Sequence, residues 1–192
     1  MTTALGRVTM LTVAIAVSGP AIGASQVKVG SWLDDPEPAS WNAPGLRIPD
    51  APKMQGPVDR RCRAQARPPQ SMEDMRVRDQ GWDLVGAYQG GWQILVIRGT
   101  ARYDGMCRPR QYQDFVFVRG VFAGTLSPHA MDSRTDGALG RVSLQSDRQL
   151  TAEYARYVAA DPLCCPSRTT SVVFEIVDGP IVRPVSASTS GR

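Results

Sequence analysis

The chain has 192 residues, is 42% hydrophobic and 7% aromatic, and carries a formal net charge of +4. That size and composition suit one globular domain with a real core and exclude a disordered chain. Lys28 and Lys53 are the only lysines among 22 basic residues, and no basic run interleaves with aromatics, so no nucleic-acid partner is expected.

Met1–Ala24 has the layout of a secretory signal peptide. Arg7 supplies the positive start, Val8–Val17 is apolar apart from two threonines, and Gly19-Pro20 breaks the segment before a cleavage site at Ala24. The apolar run is shorter than the ~20 residues of a membrane span, so no transmembrane segment is expected in the mature chain. No Cys follows the cleavage site, which is where acylation of a lipoprotein would need one. The chain is therefore expected to be exported, to the periplasm or beyond.

Residues 25–69 are rich in Pro, Gly and charge, with Trp32 and Trp41 isolated among them, and read as an extended Pro-rich arm. Ser71 is a good N-cap. Glu73 and Asp74 follow it in the first turn and Arg76 and Arg78 near the end, so a short helix is expected over Ser71–Gln80, stopped by Gly81. Beyond Trp82 the pattern is β. Trp82–Tyr88 and Trp92–Tyr103 flank a turn at Gln89-Gly90-Gly91, and Ile94–Ile97, apolar on both faces, should lie centrally. Phe115–Val118 and Val121–Leu126 flank the tight turn Arg119-Gly120. Val142–Leu144 and Leu150–Tyr157 form the next pair, and Val172–Val177 the last strand. Asp178-Gly179-Pro180 ends it, and 185–192 reads as a flexible tail. The expected fold class is α+β: one domain over 70–184, with one short N-terminal helix and a largely antiparallel, disulfide-stapled sheet.

Cys62, Cys107, Cys164 and Cys165 should be oxidised in an exported chain. Three pairings exist. A bond between neighbours spans Cα atoms only ~3.8 Å apart, below the usual disulfide separation of about 5.5–6 Å, so Cys62 and Cys107 are each expected to bond one of Cys164 and Cys165. A zinc site would want a C-x-x-C spacing that the chain lacks, and no metal ligand is expected. The chain also lacks β–α–β alternation and a Gly-rich phosphate fingerprint, so no nucleotide cofactor is expected.

The densest polar stretch is Ser127–Gly137. It holds His129, the only histidine, with Ser127, Asp132, Ser133, Arg134 and Asp136. Ser127 or Ser133 with His129 names the parts of a hydrolase, but no nucleophile elbow surrounds them, and no residue is assigned a catalytic role. Asp132 and Asp136 also suit a self-bonded loop. Asp161–Arg168 is stiffened by Pro162 and Pro166. A binding surface is expected where these two stretches meet, drawing on Ser127, His129, Asp132, Arg134, Asp136 and Arg168, with an envelope protein or small ligand as partner. Trp82, Trp92, Tyr103, Phe115, Phe117 and Phe122 read as core and sheet-face residues, not as a carbohydrate platform.

Tyr103-Asp104-Gly-Met-Cys107, followed by Asp114-Phe-Val-Phe-Val-Arg119-Gly120-Val-Phe-Ala-Gly124-Thr125-Leu, resembles the LppP/LprE-type lipoprotein domain over roughly Trp82–Val177. The polar strings Ser127–Gly137 and Asp161–Arg168 look like a secreted, non-lipidated branch. The resemblance implies an exported, envelope-associated or extracellular domain and supplies no catalytic residue.

Overall fold

A computed structural model describes residues 31–53 and 60–191. The expected signal peptide lies outside the described residues. Three helical pieces come first: a 3-10 turn at Trp32–Asp34, α1 at Arg60–Arg63 and α2 at Met72–Asp79. Ser71 caps α2 by accepting from the Asp74 amide, as expected. The 3-10 turn carries a capping box between Ser31 and Asp34, a local signal inside a segment that otherwise reads as irregular.

Eight strands follow: β1 Asp83–Gly91, β2 Ile94–Tyr103, β3 Pro109–Val118, β4 Val121–Thr125, β5 Leu139–Leu144, β6 Gln149–Arg156, β7 Arg168–Val177 and β8 Ile181–Gly191. They form two antiparallel four-stranded sheets in sequence order, β1–β4 and β5–β8. The largely antiparallel expectation holds, but as two stacked sheets with three helical pieces instead of one sheet with one helix.

The layering follows from pleat and side-chain period. In β2, Ile94 and Val96 face the second sheet, and Leu95 and Ile97 face the other way. The first core joins Val116, Val118 and Leu126 to Leu150, Tyr154, Phe174 and Val182 of the second sheet. The second packs Val77 of α2 and Trp82 over Leu84, Ile97, Phe115 and Phe117. The first sheet is thus covered on both faces, so Ile94–Ile97 is apolar throughout. The second sheet alternates buried and part-exposed along β6, because its outer face meets water.

The turn between β1 and β2 is Trp92–Gln93, not Gln89–Gly91. Ile94 must pair with Val118 of β3 to enter the core, and a bulge at Val85–Gln89, with Gly86 at φ +76°, takes up the slack. Trp92, at 62% exposure, is therefore a turn residue and not a core one. The expected flexible tail from 185 is instead β8, paired with β7 from Ile181 to Gly191. Small polar residues suit an edge strand whose outer face is wet.

The cysteine pairing differs too. Cys62, fully buried on α1, bonds Cys107 in the β2–β3 turn, with Cα atoms 4.9 Å apart. Cys164 bonds its neighbour Cys165. α1 lies against the Asp104–Cys107 turn, whereas Cys164 and Cys165 sit exposed in the β6–β7 connection. That juxtaposition pairs Cys62 with Cys107 and leaves the neighbours to each other.

The arm is an ordered clamp over its described residues. Asn42 Nδ2 donates to the carbonyls of Thr125 on β4 (2.9 Å) and Val182 on β8 (2.8 Å), and its Oδ1 accepts from the Thr125 amide. One side chain thus joins an edge strand of each sheet. Trp41 Nε1 donates to the same Thr125 carbonyl. Gly124 has φ +129°, and a Cβ there would lie 2.3 Å from the Asn42 amide carbon, so glycine is required.

Between the sheets, Arg98 and Asp114 face each other across β2 and β3, with Nε 3.0 Å from Oδ1. Burial pushes the Asp114 carboxyl up, and the Arg98 guanidinium opposes it. Arg98 also lies 5.0 Å above the Tyr112 ring. The Tyr112 hydroxyl donates to the Leu139 carbonyl and that of Tyr154 to Leu126, so two phenols cross the sheet interface.

Asn42→Ala is expected to cost about 3 kcal/mol, since it removes three buried hydrogen bonds and leaves the Thr125 carbonyl only its bond from Trp41; urea unfolding measures it. Asp114→Asn should cost about 3–5 kcal/mol by leaving Arg98 without its counter-ion, while the double change Arg98→Met, Asp114→Leu should return close to the parent. A double variant as unstable as Asp114→Asn would refute this account of the pair.

Candidate functional site

The strands place their connections at two ends. The β2–β3 turn, the β4–β5 loop (126–138) and the β6–β7 connection (157–167) share one end, with the arm residues Ser31–Asp34. There the β4–β5 loop returns to β3: Tyr112 and Met131 exchange backbone hydrogen bonds of 2.8 Å in each direction.

Ser127, His129, Asp132 and Asp136 surround one cleft of about 390 Å³, together with Gln111 and Trp32. Arg134 and Arg168 are not part of its wall. Arg134 is exposed at the loop tip with φ +62° and forms no hydrogen bond or ion pair among the described residues. Arg168 is exposed at the start of β7, opposite Arg156. Its charge reaches Asp34 and Asp161.

The carboxylates of the loop are pinned. Asp132 accepts from Arg110 (2.8 Å) and from the Gln111 amide (2.7 Å). Burial raises its carboxyl, but these bonds outweigh it and hold the group below the ordinary value. Asp136 accepts from Arg156 Nε (3.0 Å) and the Tyr157 amide (2.8 Å), which ties the β4–β5 loop to the β6–β7 connection. Asp161 closes its own connection by accepting from the Val158 and Ser167 amides.

Arg156 is the hub. It is 7% exposed and donates to Asp136, Asp34, the Leu33 carbonyl and the Thr170 hydroxyl. One guanidinium thus joins loop, arm and β7. Asp34 sits below its ordinary carboxyl value, through the Arg156 hydrogen bond first, with burial opposing and the Arg156 and Arg168 charges assisting.

Ser127 is 1% exposed, and its hydroxyl donates to the backbone carbonyl of His129 (2.8 Å), not to the imidazole. The His129 ring is exposed at the cleft rim. Ser133 is held through its amide to the Pro109 carbonyl. No cluster of three metal-ligating side chains occurs among the described residues.

Sequence reasoning missed Gln111. Its φ is +51°, unusual for a side chain of this size, and its side-chain Oε1 is buried without a hydrogen-bond partner among the described residues. It lies in the wall of the same cleft. The sequence holds no cue to either property, since a glutamine between Arg110 and Tyr112 reads as an ordinary strand residue.

Arg156→Ala should destabilise the fold by about 3 kcal/mol, because Asp34, Asp136 and Thr170 lose a shared donor. The Asp34 pKa is depressed by folding, so its contribution is present above its unfolded value of 3.8 and is lost as pH falls through the lowered folded value. Arg156→Ala should flatten that acid limb in a stability profile between about pH 2 and 5.

No curated protein and no solved structure matches the chain. Among the described residues no helix is long and apolar enough to cross a membrane. Residues 91–179, from the end of β1 to the β7–β8 turn and including the whole β4–β5 loop, match the family model described as LppP/LprE lipoprotein, and over that stretch the chain is similar to that family.

Proposed function

We propose that this is an exported, envelope-associated binding protein, periplasmic or extracellular, without catalytic activity. Its ligand or protein partner docks in the cleft bordered by Ser127, His129, Asp132 and Asp136, with Arg134 and Arg168 on the surrounding rim. The carrying observation is Gln111: a buried carbonyl oxygen with no partner among the described residues, on a strained backbone, in the wall of that cleft. Such a group is costly when free and is satisfied by an N–H or O–H donor from outside. Arg110, Arg156 and the Asp132 and Asp136 carboxylates hold the walls fixed beforehand, so little ordering entropy is lost on binding.

The binding reading is favoured over a hydrolase with Ser127 as nucleophile because the Ser127 hydroxyl is buried and spent on a carbonyl. A working dyad needs the imidazole as acceptor.

Gln111→Met keeps the length and removes the orphan acceptor. It should leave stability within about 0.5 kcal/mol of the parent or raise it, and lower capture of the envelope partner at least tenfold in pull-downs from envelope extract. Unchanged capture by Gln111→Met and His129→Ala would remove the cleft from consideration. Esterase or peptidase turnover abolished by His129→Ala would establish the hydrolase instead.

A further inference from the structure

At the other end of the stack, the four hairpin turns of both sheets converge: Trp92–Gln93, Arg119–Gly120, the β5–β6 loop and Asp178–Pro180. Between them is a second cleft of about 250 Å³. Trp92 borders it and is 62% exposed, while Trp82 is buried and Trp32 and Trp41 pack against the inter-sheet core.

The backbone shows what this presentation costs. Trp92 has φ +53° and Gln93 φ +66°. A two-residue hairpin with both φ values positive is the place for Asn-Gly, and a bulky residue there is strained. The neighbouring turn meets the same demand with Arg119-Gly120. Strain of this kind persists where a side chain has to be aimed. Planar polar groups lie beside the indole. Arg119 Nε is 2.5 Å from Gln93 Oε1, and Arg148 is 3.4 Å from the exposed Asp178 carboxylate.

We propose that this hairpin-end cleft is a carbohydrate-binding site, in which a sugar ring stacks on Trp92 and its hydroxyls are taken by Gln93, Arg119, Arg148 and Asp178. A sugar ring has one apolar C–H face and a rim of hydroxyls that both donate and accept. An exposed indole beside amide, guanidinium and carboxylate groups matches both features. Other ligand chemistries fit less well. The cations Arg119 and Arg148 are balanced by Asp147 and Asp178, which disfavours phosphate. An acyl chain needs a dry slot, and this cleft is walled by charged turns. A peptide strand needs free backbone, whereas the Arg119 amide already donates to the Gln93 carbonyl at 2.9 Å.

The test uses intact protein and a panel of chitotetraose, maltotetraose and galactotetraose, read by tryptophan fluorescence and by retardation in gels cast with the matching polysaccharide. At least one sugar should bind with Kd of order 1 mM or tighter. Trp92→Ala should weaken it at least tenfold with an unchanged melting temperature, Trp92→Tyr should retain most of it, and Gln111→Met should not alter it. Trp92→Asn with Gln93→Gly should raise the melting temperature and abolish the sugar response. No response to any of the three sugars, or a response that survives Trp92→Ala, overturns the proposal. So does Trp92-dependent binding of inorganic phosphate or of a fluorescent fatty acid in place of sugar.

Discussion

Asn42 binds strands that belong to different sheets. Its amide meets the backbone of Thr125 on β4 and of Val182 on β8, at a place where neither sheet has another strand to offer. Stacked sheets leave their edge groups unpaired unless something covers them. Here a side chain does so, and Trp41 beside it packs on Phe174 at 6.2 Å while its own N–H joins the same carbonyl. Much else is arranged around that contact. Gly124 has no side chain because the Asn42 amide occupies its space, and Leu33 and Trp32 enter the inter-sheet core because the arm runs there to reach β4.

A polar skeleton inside the stack does for the loops what Asn42 does for the edges. Arg156, Tyr112 and Tyr154 each send hydrogen bonds from one layer to a backbone or side chain of another. The chain therefore presents its loops from a rigid base, and the charges of the β4–β5 loop serve first as anchors. Arg134 stands outside that network, and the Gln111 side-chain oxygen is left without a hydrogen-bond partner among the described residues.

Much of this was legible in the sequence. The helix at Ser71 followed from its cap and charges, and the strands followed from alternation, since burial on one or both faces writes itself directly into apolar periodicity. The Arg119-Gly120 turn was legible because glycine marks positive φ. Trp92 was not, since an aromatic residue between two β runs looks like sheet, and register with β3 overrode the glycines before it. Cysteine pairing depends on which distant loops meet, which spacing alone does not encode. β8 was lost because an edge strand of Ser, Ala and Thr has the composition of a tail. Of the six residues expected at a binding surface, four line one cleft, and the two arginines stand outside it.

The Asn42 clamp also sets an order of events. Its two carbonyl partners lie 83 and 140 residues further along the chain, and the second belongs to the last strand made. Each hairpin can form locally as the chain emerges, since every strand pairs with its sequence neighbour. The arm cannot seat until β8 exists. Synthesis, which runs from the N-terminus, thus delivers the clasp first and its anchorage last, and the nascent molecule stays open along one seam until β8 arrives.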